Sequence, residues 1–365
     1  MIITNQEVTN VIHACIHSFI QTQRQIVELQ AVYDGNGADG DLAGCRITEA
    51  NQGASCQITM VAESHLTAPV YVYYQLSNFY QNHRQYVKSL DQSQLMGCTG
   101  KGSGVCSSYN LEKLCSPLVK NGSLTLSPCG LIANSVFNDQ VLVTSGQATR
   151  YDGIAWGTDS HKFAQPDGFV TAASESAYDG CLAGKSQGTY HTCDDAVCDA
   201  VFGGDGSHQG CKAYQCPSDA ATANYYGCEA GATYGFWYPD DAATQYFYES
   251  FPEVTTPMTG IMNERFFVWM RTAALPRFRK LYAVITDDVA AGESVTFSVR
   301  ANFDVSKFDG SKSLVMTTTT WFGGKNPFLG LCFLVVGSLC LAFGSAFAIK
   351  QVASPRSIGD LDYLI

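Results

Sequence analysis

Of the fifteen cysteines in this 365-residue chain, twelve lie in one block from Cys45 to Cys228. An even set gathered in one block is the pattern of disulfide bonding, which forms and persists outside the cytosol. That feature assigns the segment carrying it to an oxidising compartment, and to a fold held by closed loops as much as by long regular elements. Cys45 and Cys56 flank ten residues, while Cys98, Cys106, Cys115 and Cys129 sit among Gly, Ser and Pro and read as a loop region stapled by two bridges. Cys181, Cys193, Cys198, Cys211, Cys216 and Cys228 form a third group among Gly, Ala and Asp, with two C-x4-C pairs separated by twelve residues. A zinc ribbon uses similar spacings, but lumenal thiols oxidise, and three bridges supply the cross-links that a small core needs. Which of the six pair with which is open at this level.

From Phe328 to Ile349, 22 residues pass without a charge, and twelve of them are Leu, Phe, Val or Ile. As a helix the stretch rises about 33 Å, enough to cross a hydrocarbon core of roughly 30 Å, so it reads as a transmembrane span. Gly330, Gly337 and Gly344 recur every seven residues, with Ser338 and Ser345 beside them. Such a small-residue face lets another membrane helix approach closely. Cys332 and Cys340 fall inside the span and should stay unpaired. Lys312 and Lys325 before the span balance Lys350 and Arg356 after it, so flanking charge does not orient it. The cysteine block does: residues 31–327 are expected on the lumenal or extracellular side, and 350–365 as a cytosolic tail.

The formal charge of −11 argues against a nucleic-acid partner, whose phosphates need a basic face. Residues 1–30 place Val8, Val11, Ile12, Cys15, Ile16, Phe19, Ile20, Ile26 and Val27 at helical spacing and predict an amphipathic helix. His13 and His17 interrupt it, and no apolar run reaches the length of a signal peptide or a membrane span. The two histidines lack a third ligand nearby, so no metal is expected there. From Asp34, DGNGADGDLAG opens like a calcium loop, then puts Asp39 where the sharp turn wants Gly and Cys45 where a bidentate carboxylate is needed. It reads as a turn-rich loop, with the alternating run from Cys56 predicted as a strand pairing back across it. Between Glu264 and Asp304 the pattern returns to alternating strand, with FFVWM and SVTFSV bracketing RTAALPRFRKLY. Arg271, Arg277, Arg279 and Lys280 make that segment the densest basic cluster of the chain. Gly184-Lys-Ser186-Gln-Gly188 spells a nucleophile elbow but lacks the strand-to-helix setting and the supporting His and acid. No set of acid, base, nucleophile or metal ligands emerges, so the chain reads as non-catalytic and without a cofactor. Asn121-Gly-Ser123 is an N-glycosylation sequon.

Five blocks carry a resemblance. They are YYQLSNFYQNHRQYVKS from Tyr73, PCGLIANSVFND from Pro128 to Asp139, GIAW from Gly153 to Trp156, FVWMRTAALPRFRKLY from Phe267 to Tyr282, and FGGKNPFLG from Phe322 to Gly330. In this order they resemble the signature blocks of the Cdc50/Lem3 family, accessory beta subunits of the P4-ATPase lipid flippases. The resemblance covers roughly residues 26–168 and 245–365. It implies a mainly β fold: an antiparallel β-sandwich ectodomain with short helices, glycosylated and disulfide-bonded, between two membrane helices with cytosolic termini. Three departures stand out. An amphipathic segment occupies the place of the first membrane helix, Gln140 removes the hydroxyl from Asn138-Asp-Gln140 where many members have a sequon, and residues 168–245 form a longer insertion with six cysteines of its own.

The resemblance implies a non-catalytic subunit that pairs with a P4-ATPase among membrane lipids, helps it fold and leave the endoplasmic reticulum, and supports phospholipid transport to the cytosolic leaflet. Its expected contacts are Arg271, Arg277 and Arg279 on the ectodomain and Gly330, Gly337 and Gly344 on the span. The alternative is an anchored, disulfide-rich receptor or adhesion ectodomain that binds through the insertion.

Overall fold

The computed structural model describes residues 26–38, 40–48, 51–98, 111–173, 176–203, 206, 208–239, 241–319, 323–324 and 327–354. Leu29–Met316 forms one compact unit, and the Pro327–Ala353 helix belongs to another. The larger unit is β-rich, as expected, and its helices are short.

Two sheets make the sandwich. The first has five strands in the order β1 (Glu28–Gly35), β15 (Ser311–Thr317), β3 (Val70–Ser77), β13 (Phe278–Ile285) and β7 (Thr149–Arg150). The second has three, β2 (Ala54–Val61), β14 (Ser294–Ala301) and β6 (Gln140–Val143), all antiparallel. On β14 alternate residues Val295, Phe297, Val299 and Ala301 are fully buried, the period-2 signature of a strand with one face on a core. Between the sheets Phe137 and Phe303, at the ends of β6 and β14, meet Tyr74 of β3 and Tyr282 of β13: Tyr74 stacks on Phe137 at 3.9 Å, and Phe137 lies 5.5 Å from Phe303. The Tyr282 hydroxyl ties the layers directly, donating to the Asp139 carbonyl at 2.9 Å and accepting the Val141 N–H at 3.0 Å. Burial without such a partner would cost this hydroxyl about 1–3 kcal/mol.

The Cys-rich insertion has a sheet of its own. Its antiparallel sheet runs β8 (Val170–Ala173), β11 (Thr233–Trp237), β10 (Lys212–Gln215), β9 (Tyr190–Thr192). A last small sheet outside the sandwich joins β12 (Thr244–Tyr246), β5 (Leu124–Ser127) and β4 (Lys120–Asn121), and here β12 runs parallel to β5. The insertion's cysteines pair with their neighbours along the chain, Cys181–Cys193, Cys198–Cys211 and Cys216–Cys228, as do Cys45–Cys56 and Cys115–Cys129. Cys98 is also disulfide-bonded, and Cys106 lies outside the described residues. Cys332 and Cys340 are free thiols in the long helix.

Several local expectations give way. FFVWM is helical: Glu264–Met270 forms a helix whose N-cap, Asn263, accepts the Arg265 N–H on its side chain at 2.9 Å. A run of five apolar residues has no period that separates a buried strand from a buried helix, and the cap decides. The strand from Cys56 does not pair across its own loop. Its partner is β14, more than 230 positions away, with Val61 opposite Ser294 and Ala54 opposite Ala301. The Cys45–Cys56 bridge spans the loop, which holds the 3-10 helix Gly40–Cys45. Of the predicted helix over 1–30, residues 1–25 with His13 and His17 lie outside the described residues, and Glu28 opens β1 instead.

Candidate partner interface

Four of the five sequence blocks meet in one place. Phe79, from the first, packs against Trp269, Phe278, Phe303 and Phe308 with ring centroids between 5.2 and 6.2 Å away. Trp269 is fully buried, and its indole N–H donates to the Ile132 carbonyl of the second block at 2.8 Å. The third block is held by Glu264, whose carboxylate accepts three successive backbone N–H groups, those of Gly153 (3.0 Å), Ile154 (2.7 Å) and Ala155 (2.9 Å). These blocks build a shared core. What they expose is a different set of residues.

The Glu264-held loop ends on Trp156, whose side chain is 69% exposed. Arg271, just past the helix, lies over the Trp156 ring at 5.4 Å and donates from Nε to the Asp159 carboxylate. Asp159 also takes Lys162 Nζ at 2.7 Å, and these bonds, that from Arg271 foremost, hold its carboxyl below the usual range. Asp159 is buried while Arg271 and Lys162 are 51% and 66% exposed, so the acid anchors two cations at the surface. Beside them opens a cavity of about 360 Å³ with Leu95, Phe163 and Phe267 in its floor and Met96, 54% exposed, at its edge.

The loop from Arg271 to Pro276 then crosses the first block. Ala273 N–H donates to Gln81 Oε1 at 2.9 Å, Asn82 Nδ2 to the Ala274 carbonyl at 2.8 Å, and Phe79 N–H to the Pro276 carbonyl at 3.1 Å. This clamp leaves Leu275 68% and Tyr80 55% exposed. Arg277 is exposed, and Arg279, on β13, is exposed with Nε donating to Gln75 Oε1 at 2.8 Å. The basic cluster therefore splits. Lys280 belongs to the core: only 6% exposed, its Nζ donates to the carbonyls of Val268 (2.9 Å), Trp269 (2.7 Å) and Arg271, closing the C-terminus of the Glu264–Met270 helix. β-strand alternation puts Arg279 and Lys280 on opposite faces, which adjacency in the sequence conceals.

The helical face offered by glycine is also only partly in view. Pro327–Ala353 is 27 residues long, outlasting the predicted span at both ends, and within it Leu334–Ala353 is long and apolar enough to cross a membrane. Gly344 is exposed with no atom near the position a Cβ would take, and Gly337 is partly exposed. The surroundings of Gly330, and Phe322, Lys325 and Asn326 of the FGGKNP segment, lie outside the described residues.

Elsewhere, Asn121 sits on the exposed β4–β5 hairpin with Nδ2 donating to Gln245 Oε1 at 2.9 Å. Gln140, which breaks the second sequon, donates from Nε2 to the Tyr226 hydroxyl of the insertion at 2.6 Å, so its amide serves to dock the insertion on the sandwich. Ser186 lies in an exposed turn between the Asp179–Leu182 helix and β9, not at a strand-to-helix elbow. Sequence reasoning passed over Trp156, Asp159 and Glu264. A tryptophan among Gly, Thr, Asp and Ser is the signal that marks the first, since an aromatic ring in a turn has little local core to enter.

The chain matches the family model of the LEM3 (ligand-effect modulator 3) family / CDC50 family over residues 19–357, a span that includes the Cys-rich insertion. It is 33% identical over 313 residues to "ALA-interacting subunit 3" of Arabidopsis thaliana, covering 85% of this chain and 67% of that one. With "Cell cycle control protein 50A" of Mus musculus the identity is 31% over 340 residues, 88% of this chain and 75% of the relative. With "Phospholipid-transporting ATPase accessory subunit CRF1" of Saccharomyces cerevisiae it is 30% over 319 residues, 85% and 63% respectively. Sequence blocks, disulfide-bonded β-rich fold and these likenesses agree, and the chain belongs to the LEM3/CDC50 family.

Proposed function

We propose that this protein is the non-catalytic accessory subunit of a P4-ATPase phospholipid flippase. The observation that carries the reading is the family match over residues 19–357, together with one relative named as a phospholipid-transporting ATPase accessory subunit and another named as an ALA-interacting subunit. In this reading the disulfide-bonded unit is lumenal or extracellular, residues after the span are cytosolic, and the subunit helps its pump fold, leave the endoplasmic reticulum and move phospholipid to the cytosolic leaflet in Golgi, endosomal or plasma membranes. Phosphoryl transfer belongs to the pump. The long helix contributes its Gly337 and Gly344 face, and Gly330 with it, to packing among membrane helices. The ectodomain contributes Arg271, Arg277 and Arg279, of which Arg271 is set on a buried acid. Asn121 on its exposed hairpin is the glycan acceptor, which an endoglycosidase mobility shift, lost in Asn121→Gln, would reveal.

The test is co-expression of the full chain with P4-ATPases from its own source. Association through detergent purification, with uptake of fluorescent phospholipid above that of the pump alone, is expected. A chain that associates with none of them and raises no uptake overturns the reading.

A further inference from the structure

The cleft beside Arg271 has a chemistry that neither the core nor the family blocks require. Its floor is apolar and well packed, Leu95, Phe163 and Phe267 being 5%, 7% and 3% exposed, whereas at its edge Met96 and the adjacent Trp156 leave 54% and 69% of their surface in water. Large apolar side chains held open in this way around a concavity mark binding surfaces, and Trp, Met and Arg are the residue types that protein interfaces concentrate. At about 360 Å³ the cavity is of binding-site size. Its charge is definite. Arg271 and Lys162 against the single carboxylate of Asp159 leave one net positive charge on a chain whose formal charge is −11. Among the described residues Arg271 spends only its Nε on Asp159, which leaves the donors on its two terminal nitrogens for an incoming acceptor.

We propose that this cleft, with Trp156 beside it, is the docking pocket for a segment of the partner pump that presents a large apolar side chain next to a carboxylate. The inference rests on the subunit reading above and adds to it the site and the chemistry. The apolar side chain enters the floor, Trp156 and Met96 close over its flanks, and the carboxylate meets the Arg271 guanidinium. Asp159 acts at one remove, holding Arg271 and Lys162 in place. Glu264 fixes the loop that carries Trp156.

The experiment uses the full chain co-expressed with a P4-ATPase that co-purifies with the natural sequence. Trp156→Ala and Met96→Glu alter surface side chains, so each purified variant should keep the thermal midpoint of the parent, whereas recovery of pump should fall at least about tenfold, as loss of an interface anchor does. Arg271→Glu should do the same, and Arg271→Lys should restore only part, because an ammonium lacks the planar fork. A photo-crosslinking side chain at Met96 should form adducts with an extramembrane segment of the pump that carries an acidic and an apolar residue side by side. Undiminished recovery with Trp156→Ala and Met96→Glu, or adducts with lipid alone, overturns the docking pocket while leaving the subunit reading intact. Failure of the natural sequence to co-purify with any P4-ATPase overturns both.

Discussion

Lys312 Nζ lies 2.8 Å from Asp139 Oδ2, with both side chains sealed from solvent in the sandwich. The same ammonium is 3.2 Å from Asp34 Oδ2 and donates to the Phe303 carbonyl at 2.7 Å. Asp139 is further satisfied by the N–H groups of Asn302 and Phe303, both at 2.6 Å, and by the Tyr33 hydroxyl at 2.8 Å. Two carboxylates therefore share one cation. Lys312→Met strands both and is expected to cost roughly 3–5 kcal/mol, since removing one partner leaves charge uncompensated in a medium that solvates it poorly. Asp34→Asn removes the less satisfied acid, whose Oδ2 has the ion pair but no well-aimed hydrogen bond, and should cost far less. Denaturant unfolding of the two variants checks the order, and equal losses would contradict it.

Glu264 gives a prediction of a different kind, because its three N–H donors lie on the loop that carries Trp156 and not on its own helix. Glu264→Ala leaves the Ile154 N–H buried without an acceptor and should cost about 1–3 kcal/mol. Glu264→Gln keeps an acceptor oxygen and should lose less. Hydrogen exchange at residues 153–156 should quicken in Glu264→Ala while β14 stays protected. Unchanged exchange there would mean that Glu264 does not fix the loop.

Much of this was legible in the residues. The cysteine block, the apolar span and the signature blocks led to the β-rich, disulfide-bonded fold, because each is a statement about composition in a short window. What was not legible depends on distant partners. Lys312 sits in SKSLVMT, every residue of which is buried in β15, and no local pattern announces a lysine whose counter-ions lie at positions 34 and 139. The pairing of β2 with β14 is hidden for the same reason, since alternation reveals a strand but not its neighbour. At the candidate interface the arginines were found by counting charge. Whether a cation in that run faces water or core follows from strand parity and helix capping, and so Lys280 was grouped with residues it does not resemble.

Lys280 makes a pH prediction. Burial, reinforced by the charge of Arg271, pushes its pKa from 10.5 down to about 7, against the three carbonyls that favour the ammonium. Below pH 7 folded and unfolded chains both carry the proton and the cost of burying the charge is constant. Between pH 7 and the unfolded pKa the unfolded chain holds the proton and the folded chain does not, so stability rises with pH, by up to roughly 4–5 kcal/mol over the whole window. Relative to Lys280→Met, the natural sequence should therefore gain in thermal midpoint between pH 7 and pH 9 and show no relative change between pH 5 and pH 6. A flat difference across both windows would show that the ammonium persists on its three carbonyls.

The part of the insertion closed by the Cys181–Cys193 and Cys198–Cys211 bridges should unfold apart from the sandwich, and those disulfides allow this to be tested. Cys181, Cys193, Cys198 and Cys211 form a small core with Tyr178 and Ala213, in which Tyr178 lies so close over Gly235 of β11 that a Cβ there would come within 2.1 Å of its hydroxyl. A cluster this small depends on its bridges, for the apolar area it buries is too limited to offset the entropy of ordering the loops. The Cys198–Cys211 bridge closes a separation of 13 residues, for which chain entropy predicts about 3 kcal/mol. Replacing both cysteines with Ala should abolish hydrogen-exchange protection in β9 and β10 and leave β13 and β14 protected, because the contacts that stabilise those strands lie across the sandwich, in Tyr74, Phe137, Tyr282 and Phe303. The sandwich holds the insertion through the insertion's Ala220–Tyr226 helix. Buried Tyr225 packs on Tyr151 and Tyr282 and its carbonyl accepts the Arg265 Nη1 donor at 2.9 Å, while Gln140 donates to the Tyr226 hydroxyl and Asn224 to the Thr149 carbonyl. All of these contacts lie on a different element from the Cys198–Cys211 bridge. Parallel loss of protection in β13 and β14 would show that insertion and sandwich form one cooperative unit.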